Sequence, residues 1–466
     1  MKIYFFSQWI AMTQQIRVIV ESINDLGEVI GQEIIMTKSV IKPNTMMDLG
    51  LRHSEQIDLL RHIQQQLLDK QSVYLKDDLS ICPKCHGKLY KSGYVKSDFH
   101  SVFTDHKVAT SRQVCKSCNW TNTPSIRSLF GDASHPDLVK IQTEMGANHT
   151  FREAQKVMNL FANTKRSTNS HDRIKRLTET VGHNLAEDPD APPTDIKSVP
   201  HLYVQVDGGH VVSLEQDKRS FEVMTSVVFD AKNIKYTGGN EKNEGGISTV
   251  RGELTSKHCA ASALLDSQDT MKQLTINAAM KQGMTLETKI TALCDGAVNC
   301  WNIVDALEKH CQSIERILDW HHIAMKFQNT RLGQEDLNER LSGAKWYLWH
   351  GLSDKAIERL RSIRDSLKED QKKQDKVQAL LTYIENNAHF IANYQKRQDS
   401  GLIFSSQMAE STVESLINKR CKGKQHMRWS REGLHALLQV RAAVNSNDWN
   451  AICDRHIQEA VYHKAA

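Results

Sequence analysis

At 466 residues the chain exceeds a single typical hydrophobic core, so several packed domains are expected. Its 60 Lys+Arg against 55 Asp+Glu leave a formal charge of only +5, which assigns no partner by total charge. Ten cysteines in this length exclude a disulfide scaffold, and no run reaches the ~20 apolar residues of a membrane span.

The chain therefore reads as cytoplasmic. The stretch from Met1 to Met12 has an apolar patch without the layout of a signal peptide, and Met12 is an alternative start. Residues 16 to 36 alternate and are rich in Val and Ile around Asp25-Leu26-Gly27, which predicts a strand pair. Leu51 to Leu68 carries Ile57, Leu60, Ile63 and Leu67 at helical spacing. Together these make an N-terminal α+β region over 1–75.

Two Cys-x-x-Cys pairs follow, Cys82/Cys85 and Cys115/Cys118, in a module placed at 76–126. Two such turns supply four thiolates, the donor set of a closed tetrahedral zinc site that adds folding energy and leaves no open position for water. His86 and His106 are available but unneeded. The remaining cysteines show no ligand spacing and read as reduced buried thiols.

Residues 127–188 are helical. Thr150 and Glu153 have capping-box spacing ahead of Phe151, Ala154, Met158 and Phe161. A polar turn at Asn163 to Asn169 leads to a helix with Ile174, Leu177 and Val181 on one side and Arg173, Lys175 and Arg176 beside it. This is either a helix-turn-helix with a basic second helix or an ordinary helical hairpin. Pro189, Pro192, Pro193 and Pro200, half of the 8 prolines, mark a linker over 189–200.

Beyond it the texture changes. Leu202, Val204 and Val206 alternate into Asp207-Gly208, Phe221 to Phe229 is a further strand, and a helical region is expected over about 258 to 283. A β-α-β unit follows: strand Ile290 to Cys294, helix Val298 to His310, strand Ile314 to Leu318. Strands alternating with helices imply a mixed or parallel sheet over 201–330. Residues 331–400 read as an inserted helical bundle, and 401–466 as a helical C-terminal part.

Asp207 and Asp295 each close a strand ahead of a glycine expected to turn the chain. Carboxylates at neighbouring strand ends can share hard cations such as magnesium. Two such ions about 4 Å apart can activate a hydroxyl nucleophile and stabilise the leaving oxygen of a phosphodiester. Glu410, with Glu414 as its rival, is the candidate for a third acid. Asp319 and His322 end the next strand and are expected to support the site. Lys419, Arg420, Lys422, Lys424, Arg428 and Arg431 form a basic cluster suited to phosphate.

These motifs resemble those of bacterial insertion-sequence transposases of the DDE class, the ISKra-type family with kinship to Mutator-like elements. The resemblance runs from the cysteine module to the C-terminus. It is carried by Asp207-Gly208, by Asp295-Gly296-Ala297 with Trp301, by Leu318-Asp319 with His322, and by Glu410-Ser411 followed by Lys419-Arg420-Cys421-Lys422 and Met427-Arg428-Trp429-Ser430. The chain departs from that pattern at Phe404-Ser405-Ser406-Gln407, where the family has a Gly-Ser-Gly turn, and by one extra residue near Gly423 to His426.

The resemblance implies an α/β architecture: an RNase H-like catalytic domain with an all-helical insertion, preceded by a zinc ribbon and a helix-turn-helix-like helical domain. It implies metal-dependent DNA cleavage and strand transfer at the ends of an insertion sequence. Asp207, Asp295 and Glu410, the last preferred over Glu414, would hold two magnesium or manganese ions. Partners would be double-stranded DNA, both element ends and target, and further copies of the chain in a nucleoid-associated dimer or higher oligomer. A zinc-dependent DNA-binding regulator and an RNase H-like nuclease without strand transfer are the alternatives.

Overall fold

The computed structural model describes residues 14–76, 79–190, 196–237, 251–405, 414–422 and 427–462. The chain divides into two compact units. One takes in the described residues of Met1–Met145, Phe151–Leu177 and Ile457–Ala466; the other takes in those of Gly146–Thr150 and Thr178–His456.

In the first unit, β1 (Gln15–Ile23) and β2 (Val29–Ser39) form an antiparallel hairpin. Its turn is closed by the Asn24 side chain, which accepts from the amides of Leu26 and Glu28 at 3.0 and 2.9 Å. A helix follows at His53–Gln71. A three-stranded sheet runs β3 (Leu89–His100), β4 (Asp105–Cys115), β5 (Thr121–Asn122), antiparallel throughout. Further along, Leu138, Ala154, Met158 and Ile174 bury one another in a small core. The helices at Phe151–Phe161 and His171–Glu187 are joined by residues 162–170, longer than the three or four residues that typically join a helix-turn-helix. Arg173, expected on an open basic face, is turned inward onto Asp132 at 2.7 Å.

The second unit is built on β6 (His201–Val212), β7 (Ser220–Phe229), the β8–β9 hairpin (Ile234–Thr237, Arg251–Leu254), β10 (His258–Ser262), β11 (Lys289–Cys294) and β12 (Ser313–Leu318). Five of these strands form a mixed sheet in the order β10-β7-β6-β11-β12. The β10-β7-β6 half is antiparallel, and β6-β11-β12 is parallel. Alternation places Leu202, Val204 and Val206 with Ile290, Ala292 and Cys294 on one face, beneath Met271, Ala279, Trp301, Ile303 and Val304 from the helices Asp269–Lys281 and Val298–Asp305. The helix Arg431–Asn445 packs on β10, with Gln439 Nε2 donating to the Ala261 carbonyl at 3.0 Å.

Two local expectations change. Residues 258–262, expected to be helical, form strand β10, because pairing with Met224 to Val228 of β7 outweighs the helical preference of Ala260 and Ala261. Asp207 does not end its strand: β6 continues to Val212 because β7 keeps pairing with it as far as Ser220. The Gly-rich stretch from 238 to 246 lies outside the described residues. The region 320–399 is helical as expected, with helices at Trp320–Asn329, Glu335–Trp349, Ser353–Ser366, Gln371–Asn386 and Tyr394–Asp399. Among the described residues no helix is long and apolar enough to cross a membrane.

Candidate metal centre

Asp207 stands where the parallel partner of β6 runs out. The last β6–β11 pair is Val206 with Cys294, so Asp207 and Asp295 emerge side by side from adjacent strands. Asp207 Oδ1 accepts from the Gly208 amide at 2.7 Å, and the Thr225 hydroxyl donates to its carbonyl at 3.1 Å. Gly208 continues the strand rather than turning it. A Cβ there would lie 2.7 Å from Glu222 Oε1, so any larger residue would displace the Glu222 carboxylate. At Gly296 the expected turn is present: φ is +94°, the left-handed region that favours glycine. Asp295 Oδ1 accepts from the Ala297 amide at 2.9 Å, which orients it over the start of the following helix.

β12 delivers the third group. Asp319 follows the strand, is fully buried, and N-caps the helix Trp320–Asn329 through the amides of His321 and His322. Its Oδ2 also lies 2.6 Å from His322 Nδ1. That bond leaves Nε2 as the imidazole atom available to the neighbouring carboxylates. Asp207, Asp295 and His322 each bring a ligand atom within 4.8 Å of the others. A carboxylate behind a histidine is the arrangement that fixes the ring and its tautomer at metal sites.

The electrostatics agree with the geometry. Burial raises the Asp207 carboxyl above its ordinary range; the His322 charge and Gly208 amide lower it only in part, and Asp295 and Asp319 raise it further. For His322, burial favours the neutral ring, but the Asp319 hydrogen bond and the charges of Asp319, Asp207 and Asp295 outweigh this and raise its pKa. Two clustered carboxylates and an oriented imidazole fit a divalent cation.

The helices Gln371–Asn386 and Tyr394–Asp399 hold the strand ends. Tyr383 donates its hydroxyl to the Asp295 carbonyl at 2.8 Å, and Tyr394 donates to the Leu318 carbonyl at 2.7 Å. Asn387 packs over Gly296, where a Cβ would sit 2.6 Å from its Oδ1. Trp349, 1% exposed, packs at a tilt against Trp320 at 4.7 Å, stacks with Tyr394 at 6.1 Å, and meets Phe404 edge-on at 5.3 Å. Sequence reasoning missed Tyr383, Asn387 and Tyr394; nothing in their local pattern separates them from other residues of amphipathic helices.

Glu410 and Lys424 lie outside the described residues. The described chain resumes with a π-helical turn, Glu414–Asn418, whose Glu414 is exposed. The basic cluster divides. Lys419, Lys422 and Arg428 are exposed, and the Lys422 Nζ lies 3.5 Å from where a Cβ on Gly209 would stand, on the same strand as Asp207. Arg420 is instead 1% exposed, with Nε donating to the Gly146 carbonyl and its guanidinium over Trp429. Arg431 pairs with Glu215 at 3.0 Å and donates to the Ala263 carbonyl. Both were expected to meet phosphate; Arg420 is taken up by a buried carbonyl, and Arg431 is shared between a carbonyl and the partly exposed Glu215. Arg441, which the sequence did not single out, secures the same region by donating to the carbonyls of Leu416, Ser415 and Ala147. Trp429 prolongs the β6 edge, its amide donating to the Val212 carbonyl at 3.0 Å, and Ser430 caps the next helix.

In the first unit the four cysteines converge. Cys82 and Cys118 sulfurs are 3.6 Å apart, and those of Cys85 and Cys115 are 3.4 Å apart. His86 and Asn119 follow the second cysteine of each pair with φ of 58° and 57°, so the two turns are alike. A Cβ on Gly87 would come within 3.3 Å of two of the sulfurs. Desolvation raises the Cys115 thiol, yet the Cys118 amide, the Cys85 thiol and the Ser117 amide outweigh it and hold the group at about 6. This four-sulfur cluster is compatible with zinc. His106 is not part of it; its ring bonds Thr104 at 2.8 Å.

One solved structure similar to this chain is the Drosophila P element transposase strand transfer complex, at 10% identity and a TM-score of 0.31, covering 67% of this chain and 93% of that one. No curated protein matches the sequence. The model of the uncharacterised protein family UPF0236 matches residues 143–453, more than half of the chain, and the protein belongs to that family.

Proposed function

We propose that the protein is a DDE-class transposase that cleaves and joins DNA strands at the ends of a mobile element. The observation that carries this reading is the meeting of Asp207, Asp295 and His322 at the parallel edge of the mixed sheet. The strand order, with three antiparallel strands continued by two parallel ones, supports an RNase H-like catalytic domain. The motif resemblance supports its assignment to the ISKra-type group and supplies Glu410 as the third acid.

Bound magnesium or manganese would lower the pKa of a water or terminal hydroxyl and stabilise the leaving oxygen. Asp207, Asp295 and Glu410 would hold that charge, with His322, oriented by Asp319, as a further donor beside the two aspartates. In the first step water oxygen bonds to phosphorus, the bond from phosphorus to the 3′ oxygen breaks, and a free 3′-hydroxyl results. In the second, that hydroxyl attacks a target phosphodiester and displaces its 3′ oxygen. Exposed Lys422, beside Gly209, is placed to neutralise a phosphate approaching β6. The four cysteines would carry structural zinc.

The test is strand cleavage and joining on duplexes bearing the element's ends, with magnesium or manganese. Asp207→Asn, Asp295→Asn and Glu410→Gln should each abolish both steps and keep DNA binding. Cleavage without joining would make the protein a nuclease, and binding without either would make it a regulator.

A further inference from the structure

The first unit contains a second polar site, remote in sequence from the carboxylates. A cavity of about 440 Å³ is lined by Arg127, Arg173, Arg176, Ser167, Thr168 and Ser170, together with Asp132 and Asp172. It lies at the start of the helix His171–Glu187, where Ser170 Oγ accepts from the Arg173 amide at 3.3 Å. The N-terminus of a long helix favours negative charge. The side chains add an independent reason.

Arg173, only 10% exposed, spends both terminal nitrogens on Asp132 and Ser134, at 2.7 to 3.2 Å. Its Nε is buried with no hydrogen-bond partner. Asp132 is thereby neutralised; burial raises its carboxyl, but the Arg173 bond and charge outweigh this and lower it. Arg127, with a side chain 60% exposed, reaches Asp132 only at 3.5 Å. Arg176 is exposed, and so is Asp172, the one acid here without a close guanidinium. The cavity is thus lined by two exposed guanidinium groups, those of Arg127 and Arg176, and by the hydroxyl-bearing Ser167 and Ser170. In the preceding segment Arg166 is exposed, while Lys165 is paired with Asp98 at 2.8 Å. Exposed Arg127, Arg166 and Arg176 around one pocket suit a polymer of phosphates better than one free anion.

We propose that this cavity seats a backbone phosphate of duplex DNA, with Arg127 and Arg176 as the contacting groups and Arg173 as the residue that shapes the pocket. The inference rests on the reading of the protein as one that acts on DNA, and it names a contact apart from the carboxylate site.

The experiment uses the full chain and a fluorescein-labelled mixed-sequence duplex, followed by anisotropy across a salt titration. Arg127→Ala combined with Arg176→Ala should weaken binding about tenfold and make the slope of log affinity against log salt shallower by about one to two. Arg127→Lys should recover part of the affinity. Both positions are exposed, so zinc content and thermal unfolding should match the unaltered chain. An unchanged affinity and slope in the double variant overturns the proposal, even if inorganic phosphate at constant ionic strength competes at this pocket. That result leaves the wider DNA reading standing, whereas failure of the unaltered chain to bind any duplex removes both.

Discussion

Asp207→Asn is expected to stabilise the protein while disabling it. Asp207 and Asp295 present oxygens no more than 4.8 Å apart, and at an effective dielectric of about 20 two unit charges at that separation repel by about 3.5 kcal/mol. His322, held by Asp319 at 2.6 Å, offsets part of this when it carries a proton. A residual strain on the order of 1 to 2 kcal/mol then remains in the metal-free protein. Asparagine keeps the Oδ1 that accepts from Gly208 and removes the charge. Without added magnesium, Asp207→Asn should therefore unfold at a temperature a few degrees above the unaltered chain, since 1 kcal/mol moves a unit of this size by roughly 2–4 °C. Magnesium at about a hundred times its dissociation constant should stabilise the unaltered chain by about 2.7 kcal/mol and leave the variant unmoved. Differential scanning calorimetry with and without magnesium reads both effects. If the variant is less stable than the unaltered chain without magnesium, or keeps its magnesium shift, the electrostatic reasoning is wrong.

Stability without magnesium should also fall as pH rises. The pKa of His322 is raised in the fold, so its contribution is complete below the unfolded value of about 6.5 and disappears as pH climbs through the folded value. The Asp207 carboxyl is raised too, so its ionisation costs stability from about pH 4 upward. His322→Gln should flatten the upper part of this profile in urea titrations. Stripping zinc should unfold the module around Cys82, Cys85, Cys115 and Cys118, because structural zinc supplies an apparent 10–16 kcal/mol in peptides of about this kind; limited proteolysis between residues 79 and 122 would report it, and resistance after complete zinc release would contradict it. Tyr383→Phe removes the donor to the Asp295 carbonyl, so it should cost about 1 kcal/mol in denaturant titrations yet slow strand cleavage out of proportion to that loss. Trp349→Ala, at a position 1% exposed, should cost about 3–5 kcal/mol.

Much of the site could be read from the chain. Asp207 stood out because alternating apolar residues ran into it, and Asp295 because it closed the first strand of a β-α-β unit; parallel pairing of β6 with β11 does place them side by side. The cysteine pairs were legible because thiolate coordination demands close spacing within each pair. What escaped was whatever depends on partners distant in sequence. Gly208 looked like a turn because its packing against Glu222 of β7 leaves no local trace. Arg420 and Arg431 looked like phosphate ligands because a cation already bonded to other parts of the chain has the same sequence appearance as a free one. The hydroxyls of Tyr383 and Tyr394 clamp the strand ends from helices whose own periodicity reports only their core. His322 was expected to support the site; its position within ligand distance of both carboxylates depends on Asp319 capping the helix that carries it.

If Asp207, Asp295 and His322 together hold a divalent cation, anomalous diffraction from crystals of the full chain grown with manganese should show a strong peak among these three side chains, lost in Asp207→Asn. No peak there at saturating manganese, or a peak elsewhere that survives the substitution, would contradict this reading.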